Sequence, residues 1–561
     1  MKKKKKDTAL KWIYRCSKRY LWAVMLMAMI TGVISGSFIL LALISSRLLD
    51  IASGSMEGSL GVEISIIACL IFLQAVLNIV YRNLQIRTAT KIEMSIRQGI
   101  FSMLQRKQYR DVCGMHSGEI LNRLTSDIDL VVVGVVGLIP QAISLSTKIL
   151  AGLGVLLSID ATFTFLVLGV GVMVFVCSRL YSRRFKHLHK EVQRTNGIVR
   201  SFLQECLENL AVIKSFANGD LVCDKLGQYQ RENYRIRVKR TAISNFANTA
   251  VYVMFTAGYY AALAWGALQI SVGALTFGKL TAFLQIIQQI KAPFRNASGL
   301  VPQYYSMLAS AERLMELEQW EDEKEAARIS DVEAFYEDFQ AIVAECVTFS
   351  YEQETILENA SLRIEKGELV ALVGESGIGK STLMKLLLHL IPCDQGRLYL
   401  ETGKGQVELD AGIRSLFAYV PQGNMMMSGT IRENISFCNP RACEEQIIRA
   451  ARIACIWDDI ASLPSGLDTV LAERGAGLSE GQIQRIAIAR AVLSDAPILL
   501  LDECTASLDR NTEWKVLQNI KSMNTKTILC ISHTPAAVEC CDRVVRIVHK
   551  QFMEERKNVC E

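Results

Sequence analysis

The residues best placed to do chemistry run from Gly374 to Thr382: Gly374, Glu375, Ser376, Gly377, Ile378, Gly379, Lys380, Ser381 and Thr382. They match G-x-x-x-x-G-K-[ST], and they follow the apolar run Val370-Ala-Leu-Val and open the helical pattern Leu383, Leu386, Leu387, Leu390. Glycines at these positions let the backbone wrap an oligophosphate, so that its N–H groups and the following helix start point at negative charge. Lys380 is a cation for the β- and γ-phosphates, and the Ser381 hydroxyl is a ligand for Mg²⁺. Downstream, Ile498-Leu-Leu-Leu501 ends in Asp502 and Glu503. Asp502 is placed to hold the Mg²⁺ shell, and Glu503 to polarise an attacking water.

A second anion-binding helix start is written into Leu478-Ser479-Glu480-Gly481-Gln482 followed by Ile-Gln-Arg485-Ile-Ala-Ile-Ala-Arg490. With these residues in place, the chain resembles a half-size ATP-binding cassette exporter, in which a six-helix membrane domain is fused to one nucleotide-binding domain. The resemblance extends to Tyr351, to Gln422 in Tyr419-Val-Pro-Gln, to Glu473-Arg-Gly, to Ser507-Leu-Asp509 and to Ile531-Ser-His533. In the first half, Ser117-Gly-Glu-Ile-Leu-Asn-Arg-Leu-Thr-Ser-Asp127 and Val212-Ile-Lys-Ser-Phe216 resemble the regions around the family's two coupling helices.

The resemblance implies roles. Tyr351 would stack on adenine, Gln422 would sense nucleotide and Mg²⁺, and His533 would contact the γ-phosphate beside Glu503. Ser479, Gly481 and Gln482 of one subunit would cap the ATP held by the other. The implied metal ligands are Ser381, Gln422 and Asp502. One departure stands out: Glu480 occupies a position that is usually Gly in the family. A carboxylate there suits the helix dipole but would repel a triphosphate if it faced inward, so it is expected to point away.

The elements that must position these groups begin with the membrane. The 561 residues are 50% hydrophobic with mean hydropathy +0.24, too apolar and too long for one soluble domain. A net charge of +6 is modest, and its basic residues flank apolar runs, which argues for membrane topology over nucleic-acid binding. The 16 Cys show no metal-type spacing and read as reduced, small apolar residues. Spans of roughly 20 residues are expected near 20–44, 62–81, 131–157, 161–180, 245–266 and 273–292. Arg82 to Arg123 and Arg179 to Arg200 are rich in basic residues, whereas the alternate loops carry almost none, so both termini and the nucleotide-binding domain are expected in the cytosol. Lys2 to Lys6 resemble the start of a signal peptide, but the following apolar run is too long, and a retained first span is expected.

Residues 82–107 and 179–235 keep helical spacing with almost no Gly or Pro, and should prolong the spans beyond the membrane. The breaks at Arg110–Gly114 and Asn209–Lys214 read either as short crosswise helices or as simple turns. The expected layout is a basic segment at 1–19, an all-α six-helix transmembrane domain at 20–315, an acidic linker at 316–338 and an α/β P-loop nucleotide-binding domain at 339–561. The expected activity is ATP-driven export across the cytoplasmic membrane by a dimer, with a second copy of the chain favoured over a related half-transporter. Import on the same architecture, for example of a metal chelate, and an ATP-gated channel or regulatory subunit are the alternatives. Gln74, Asn78, Lys148, Gln285, Gln288 and Gln289 fall near mid-membrane and mark a candidate substrate path for a small molecule, lipid or peptide.

Overall fold

The computed structural model describes all residues except 1–7, 325, 328, 352–353, 376, 424–425, 472–476, 524–525 and 556–561. Two compact units emerge, one formed by residues 1–101 and 118–318, the other by 102–117 and 319–561.

The first unit is helical. A short helix α1 (Ala9–Ser17) precedes α2 (Leu21–Ala52) and α3 (Leu60–Leu104). Two short helices, α4 (Tyr109–Gly114), which belongs to the second unit, and α5 (Ser117–Asn122), lead to α6 (Ile128–Ile159) and α7 (Ala161–Glu208). A third short helix, α8 (Leu210–Ser215), joins α7 to α9 (Gly219–Ser271), and α10 (Phe277–Gln319) completes the unit. Both breaks in the basic segments are therefore short helices, α4 and α8. The long helices overrun the predicted spans, because nothing in their polar continuations breaks the pattern: α3 runs 45 residues and α9 runs 53. The last helix starts later than predicted, since 273–276 form the turn before α10 rather than its first residues. Among the described residues, Ala9–Ala52, Leu60–Leu104 and Ser117–Ile159 are long and apolar enough to cross a membrane.

Buried polar residues pin this bundle at both ends. Asp50 accepts from the Thr276 hydroxyl at 3.0 Å and from the Gly278 amide at 2.8 Å, satisfying a donor at the start of α10 that its own helix cannot. At the opposite end Asp127 pairs with Arg313 and accepts from the Ser310 hydroxyl, while Arg123 donates to the Arg313 carbonyl at 2.7 Å. A carboxylate 1% exposed is tolerable there because each oxygen has a donor.

The second unit opens with α11 (Val332–Asp338) and the strands β1 (Phe339–Tyr351), β2 (Glu354–Glu365) and β3 (Leu369–Val373). Then come α12 (Lys380–Leu387), β4 (Gln395–Thr402), β5 (Gly405–Glu408), β6 (Phe417–Val420) and β7 (Gly429–Thr430). Helices α13 (Ile431–Ile435), α14 (Glu444–Ile453) and α15 (Trp457–Ser462) precede β8 (Val470–Leu471), α16 (Glu480–Leu493) and β9 (Ile498–Asp502). The chain ends with α17 (Arg510–Lys521), β10 (Thr527–Ile531), α18 (Pro535–Cys540), β11 (Arg543–Val548) and β12 (Gln551–Glu555).

The central sheet has the order β12-β11-β3-β10-β9-β6, parallel except for β12. Every residue of β3, β9 and β10 is buried, which explains their unbroken apolar sequences: both faces of the sheet are covered. A second, antiparallel sheet runs β2-β1-β4-β5.

Residues 102–117 belong with this unit. Lys107, 6% exposed, donates to the Trp320 carbonyl at 2.7 Å and pairs with Asp322 at 2.7 Å. The Gln108 amide donates to the Glu321 carbonyl at 3.0 Å, and the Glu323 amide to the Arg106 carbonyl at 2.8 Å. Glu323 in turn pairs with Arg414. Tyr109 on α4 packs against the core that includes β3 and the inner face of α12.

Candidate functional site

Sheet order assembles the site. The strands β3, β10, β9 and β6 lie side by side and parallel, so their C-terminal ends deliver four loops to one edge. These carry, in order, the phosphate loop, His533, Asp502 with Glu503, and Gln422.

The phosphate loop turns into α12 at Gly379, whose φ of 110° is open to glycine alone, and a Cβ there would lie 2.3 Å from Ile356. That turn aims the unpaired amides of the first turn of α12 into the loop. Gly374, Glu375, Gly377 and Ile378 form the described part of the loop, while Ser376 lies outside the described residues. Lys380 folds over the loop, donating to the carbonyls of Gly374 at 2.7 Å and Glu375 at 2.9 Å. Burial lowers its pKa, against which the charges of Glu503 and Asp502 act. A cation held by two carbonyls is poised to exchange them for phosphate oxygens. Ser381 sits at the mouth, whereas Thr382 is buried in α12.

Asp502 is 1% exposed and has a donor on each oxygen: Ser381 Oγ to Oδ1 at 3.0 Å, and Tyr419 Oη to Oδ2 at 3.1 Å. Burial raises its pKa, and these two hydrogen bonds partly offset the rise. The Tyr419 phenol is itself pushed up, by burial first and then by the Asp502 charge, so it remains a donor. Sequence reasoning saw Tyr419 only as part of a motif. Its register opposite Leu500 on β9 places it beside the acid, and strand pairing is invisible in the sequence.

Glu503 has φ 49°, the left-handed region that costs a non-glycine residue on the order of 1–3 kcal/mol. Its amide donates to the Ile531 carbonyl at 3.1 Å, which holds the strained turn against β10. Gln422 donates to Glu503 Oε2, and His533 Nε2 lies 3.7 Å from Oε1. The site therefore brings Gln422, Glu503 and His533 together. A further partner emerges behind them. Glu513 on α17, 1% exposed, accepts from the hydroxyls of Thr505 and Thr534, both at 2.7 Å. It ties the turn after Asp502 and Glu503 to the turn bearing His533.

Ser381, Gln422 and Asp502 offer hydroxyl, amide and carboxylate oxygens, the hard donors that suit a small divalent cation beside phosphate. Tyr351 closes β1, 38% exposed, its ring edge-on to Phe349 at 4.9 Å; an exposed ring face is what adenine stacking needs.

The remaining predicted residues lie at the start of α16. Ser479 is its N-cap and forms a capping box with Gln482. The Gln482 amide also donates to Asp459 at 2.9 Å, so its side chain is engaged within its own subunit. At Gly481 a Cβ would meet the Ser507 carbonyl at 3.0 Å, so a larger residue would press on the turn before α17. Glu480 is exposed.

Comparison with known proteins agrees with this geometry. The family model described as the ABC transporter transmembrane region matches residues 21–294, and that described as ABC transporter matches 357–506. An ATP-dependent lipid A-core flippase of Chromobacterium violaceum is 31% identical over 472 residues, covering 82% of this chain and 79% of that protein. A fatty acid ABC transporter ATP-binding/permease protein of Mycobacterium tuberculosis is 28% identical over 495 residues, covering 87% and 76%. The solved structure of a bacterial Atm1-family ABC exporter with ATP bound shares the fold, with TM-score 0.77 at 20% identity over 96% of this chain and 94% of that one. The chain belongs to the ABC transporter family, as a half-size exporter-type polypeptide whose helical transmembrane domain is fused to a nucleotide-binding domain that couples ATP hydrolysis to transport.

Proposed function

We propose that two copies of this chain form an exporter in the cytoplasmic membrane, with both nucleotide-binding domains in the cytosol and an amphipathic compound as cargo. The observation that carries the two-copy reading is the tip of the α7–α9 hairpin. Around α8 the side chains of Leu207, Leu210, Val212, Phe216 and Leu221 are all exposed, Phe216 by 72%. An apolar tip flanked by Lys214 and Asp220 fits a socket on a second copy.

In this reading the ATP phosphates lie in the loop Gly374–Ser381, with adenine on Tyr351. Ser479, Gly481 and the start of α16 from the second copy close over the γ-phosphate. Mg²⁺ held by Ser381, Gln422 and Asp502 would neutralise charge on the β- and γ-oxygens. Glu503 orients and deprotonates the attacking water, and His533 holds the γ-phosphate against it. Gln422 touches Glu503 directly, so a shift of Gln422 alters the base that hydrolysis needs. Helix α4 belongs to the nucleotide-binding unit, held there through Lys107, and the chain continues from it into α3 on one side and through α5 into α6 on the other.

The test is the purified chain reconstituted alone into lipid. ATP hydrolysis by the chain without any second polypeptide, and ATP-driven movement of an amphiphile from the nucleotide side to the far side, are the expected results. Activity appearing only after a different half-transporter is added would overturn the homodimer, and flux in the opposite sense would overturn export.

A further inference from the structure

We infer that Lys148 is the anion-recognising group of the translocation path and that the cargo is an anionic amphiphile, a phosphate or carboxylate head on an apolar body. This inference rests on the transport reading above and names its substrate class. Lys148 lies 11 residues from the end of α6 at Ile159, about 16 Å along the axis, whereas a lysine side chain extends only about 6 Å. It lies well inside the predicted span 131–157.

Its surroundings are polar at the same depth on four helices. The Lys148 ammonium stands 5.6 Å from the ring centroid of Phe38 on α2. Next to Phe38, Ser37 Oγ accepts from Gln74 Nε2 of α3 at 2.9 Å. From α10, Gln289 Nε2 donates to the Phe38 carbonyl at 3.0 Å, and Gln289 Oε1 is buried without a hydrogen-bond partner. Counted from Leu60 and Phe277, Gln74 and Gln289 lie roughly 18–21 Å along their helices. Three helices thus bring polar side chains to Ser37 and Phe38. Asn78 turns back on its own helix to the Gln74 carbonyl at 2.9 Å, so it adds little to this group.

What is missing at this depth is a counter-charge. The sequence has no Asp or Glu between Asp7 and Asp50, between Glu63 and Glu93, between Asp129 and Asp160, between Asp160 and Glu191, or between Glu232 and Glu312. Apart from Glu63 at the outer end of the second, those intervals contain every predicted span, so neither this chain nor a second copy has a carboxylate to offer Lys148 at this depth. A charge inside a membrane persists when it is paired or lines a path for a charged cargo. A ring face relieves only part of the cost. The anion must come from outside the protein, and the apolar helix faces around it call for an apolar body attached to that anion.

Binding to the purified full-length protein in dodecyl maltoside, without nucleotide, tests this. Dodecyl phosphate, dodecanoate and dodecyltrimethylammonium are titrated calorimetrically into the wild type, Lys148→Gln and Lys148→Arg. The wild type should prefer both anions to the cation. Lys148→Gln should weaken the anions about tenfold or more without weakening the cation, while Lys148→Arg keeps the preference. If Lys148→Gln cannot be recovered folded, Lys148→Met, close in shape, serves in its place. A tighter phosphate points to a phosphorylated lipid-like head, and a tighter carboxylate to a fatty-acid-like one. Equal anion affinity in the wild type and the neutral variant, or a wild type indifferent to head-group charge, overturns the inference. Because no nucleotide is present, a failure of ATP-driven transport leaves this readout intact, and a negative result here leaves the ATPase reading standing.

Discussion

Glu503→Gln is the substitution whose effect the site defines most sharply. Gln keeps the shape of the side chain and an oxygen to accept the hydrogen bond from Gln422, and the backbone amide bond to Ile531 is untouched. What disappears is the carboxylate proposed above to take the proton of the attacking water. Loss of a positioned general base costs roughly 10²–10⁴ in rate, equivalent to about 3–5 kcal/mol of barrier. Phosphate binding should survive, since Lys380 and the start of α12 are unaltered, and removing a negative charge beside the γ-phosphate favours ATP. Steady-state phosphate release and retained radiolabelled nucleotide, measured side by side, read the two effects separately. Lys380→Ala is the contrast: it removes the cation now held by the Gly374 and Glu375 carbonyls and should lose the nucleotide itself. Turnover of Glu503→Gln within a few-fold of wild type would refute the assignment of the base.

Two further outcomes follow from buried polar groups. Because burial raises the Asp502 pKa, that carboxyl contributes stability fully below its unfolded pKa and loses the contribution as pH rises through the folded value. In the proposed role Asp502 binds Mg²⁺ as the ionised form, so protons should compete with the metal and ATPase activity at limiting Mg²⁺ should fall on acidification. Tyr419→Phe removes a donor that lowers this pKa. The acid limb should therefore move to higher pH, with a stability loss of about 1–3 kcal/mol at neutral pH; superimposable pH–rate profiles would count against the link. Glu513→Ala removes the shared acceptor of the Thr505 and Thr534 hydroxyls and leaves a small void. It should cost about 3 kcal/mol in denaturant unfolding of the nucleotide-binding unit and slow hydrolysis through misplacement of His533; an unchanged midpoint would show the network to be idle.

The phosphate loop was legible because its chemistry requires consecutive residues, Gly374 to Ser381, at a strand–helix junction. The strands β3 and β9 were legible too, since burial on both faces demands an unbroken apolar run. Helices α4 and α8 showed only as breaks in a periodic pattern, and the sequence left open whether each break was a helix or a turn. What stayed hidden depends on pairings between distant residues. Tyr419 meets Asp502 because β6 lies beside β9, and Lys107 joins the nucleotide-binding unit through Trp320 and Asp322, with Trp320 213 positions further along the chain than Lys107. No local pattern encodes either contact. Gln482 shows the converse: the motif suggested a nucleotide contact, while its side chain caps Ser479 and binds Asp459. Local capping chemistry accounts for that residue in the free subunit.

The claim on which the rest depends is that ATP is enclosed between two copies of this chain, the phosphate loop of one against the Ser479 helix of the other. A disulfide cross-link between Ser376→Cys and Ser479→Cys tests it most directly, in a Glu503→Gln protein whose reactive native cysteines have been replaced. With ATP and Mg²⁺, oxidation should join two chains into a covalent dimer, and without nucleotide the yield should fall sharply. Cross-linking confined to single chains, or a dimer yield indifferent to ATP, would contradict the account.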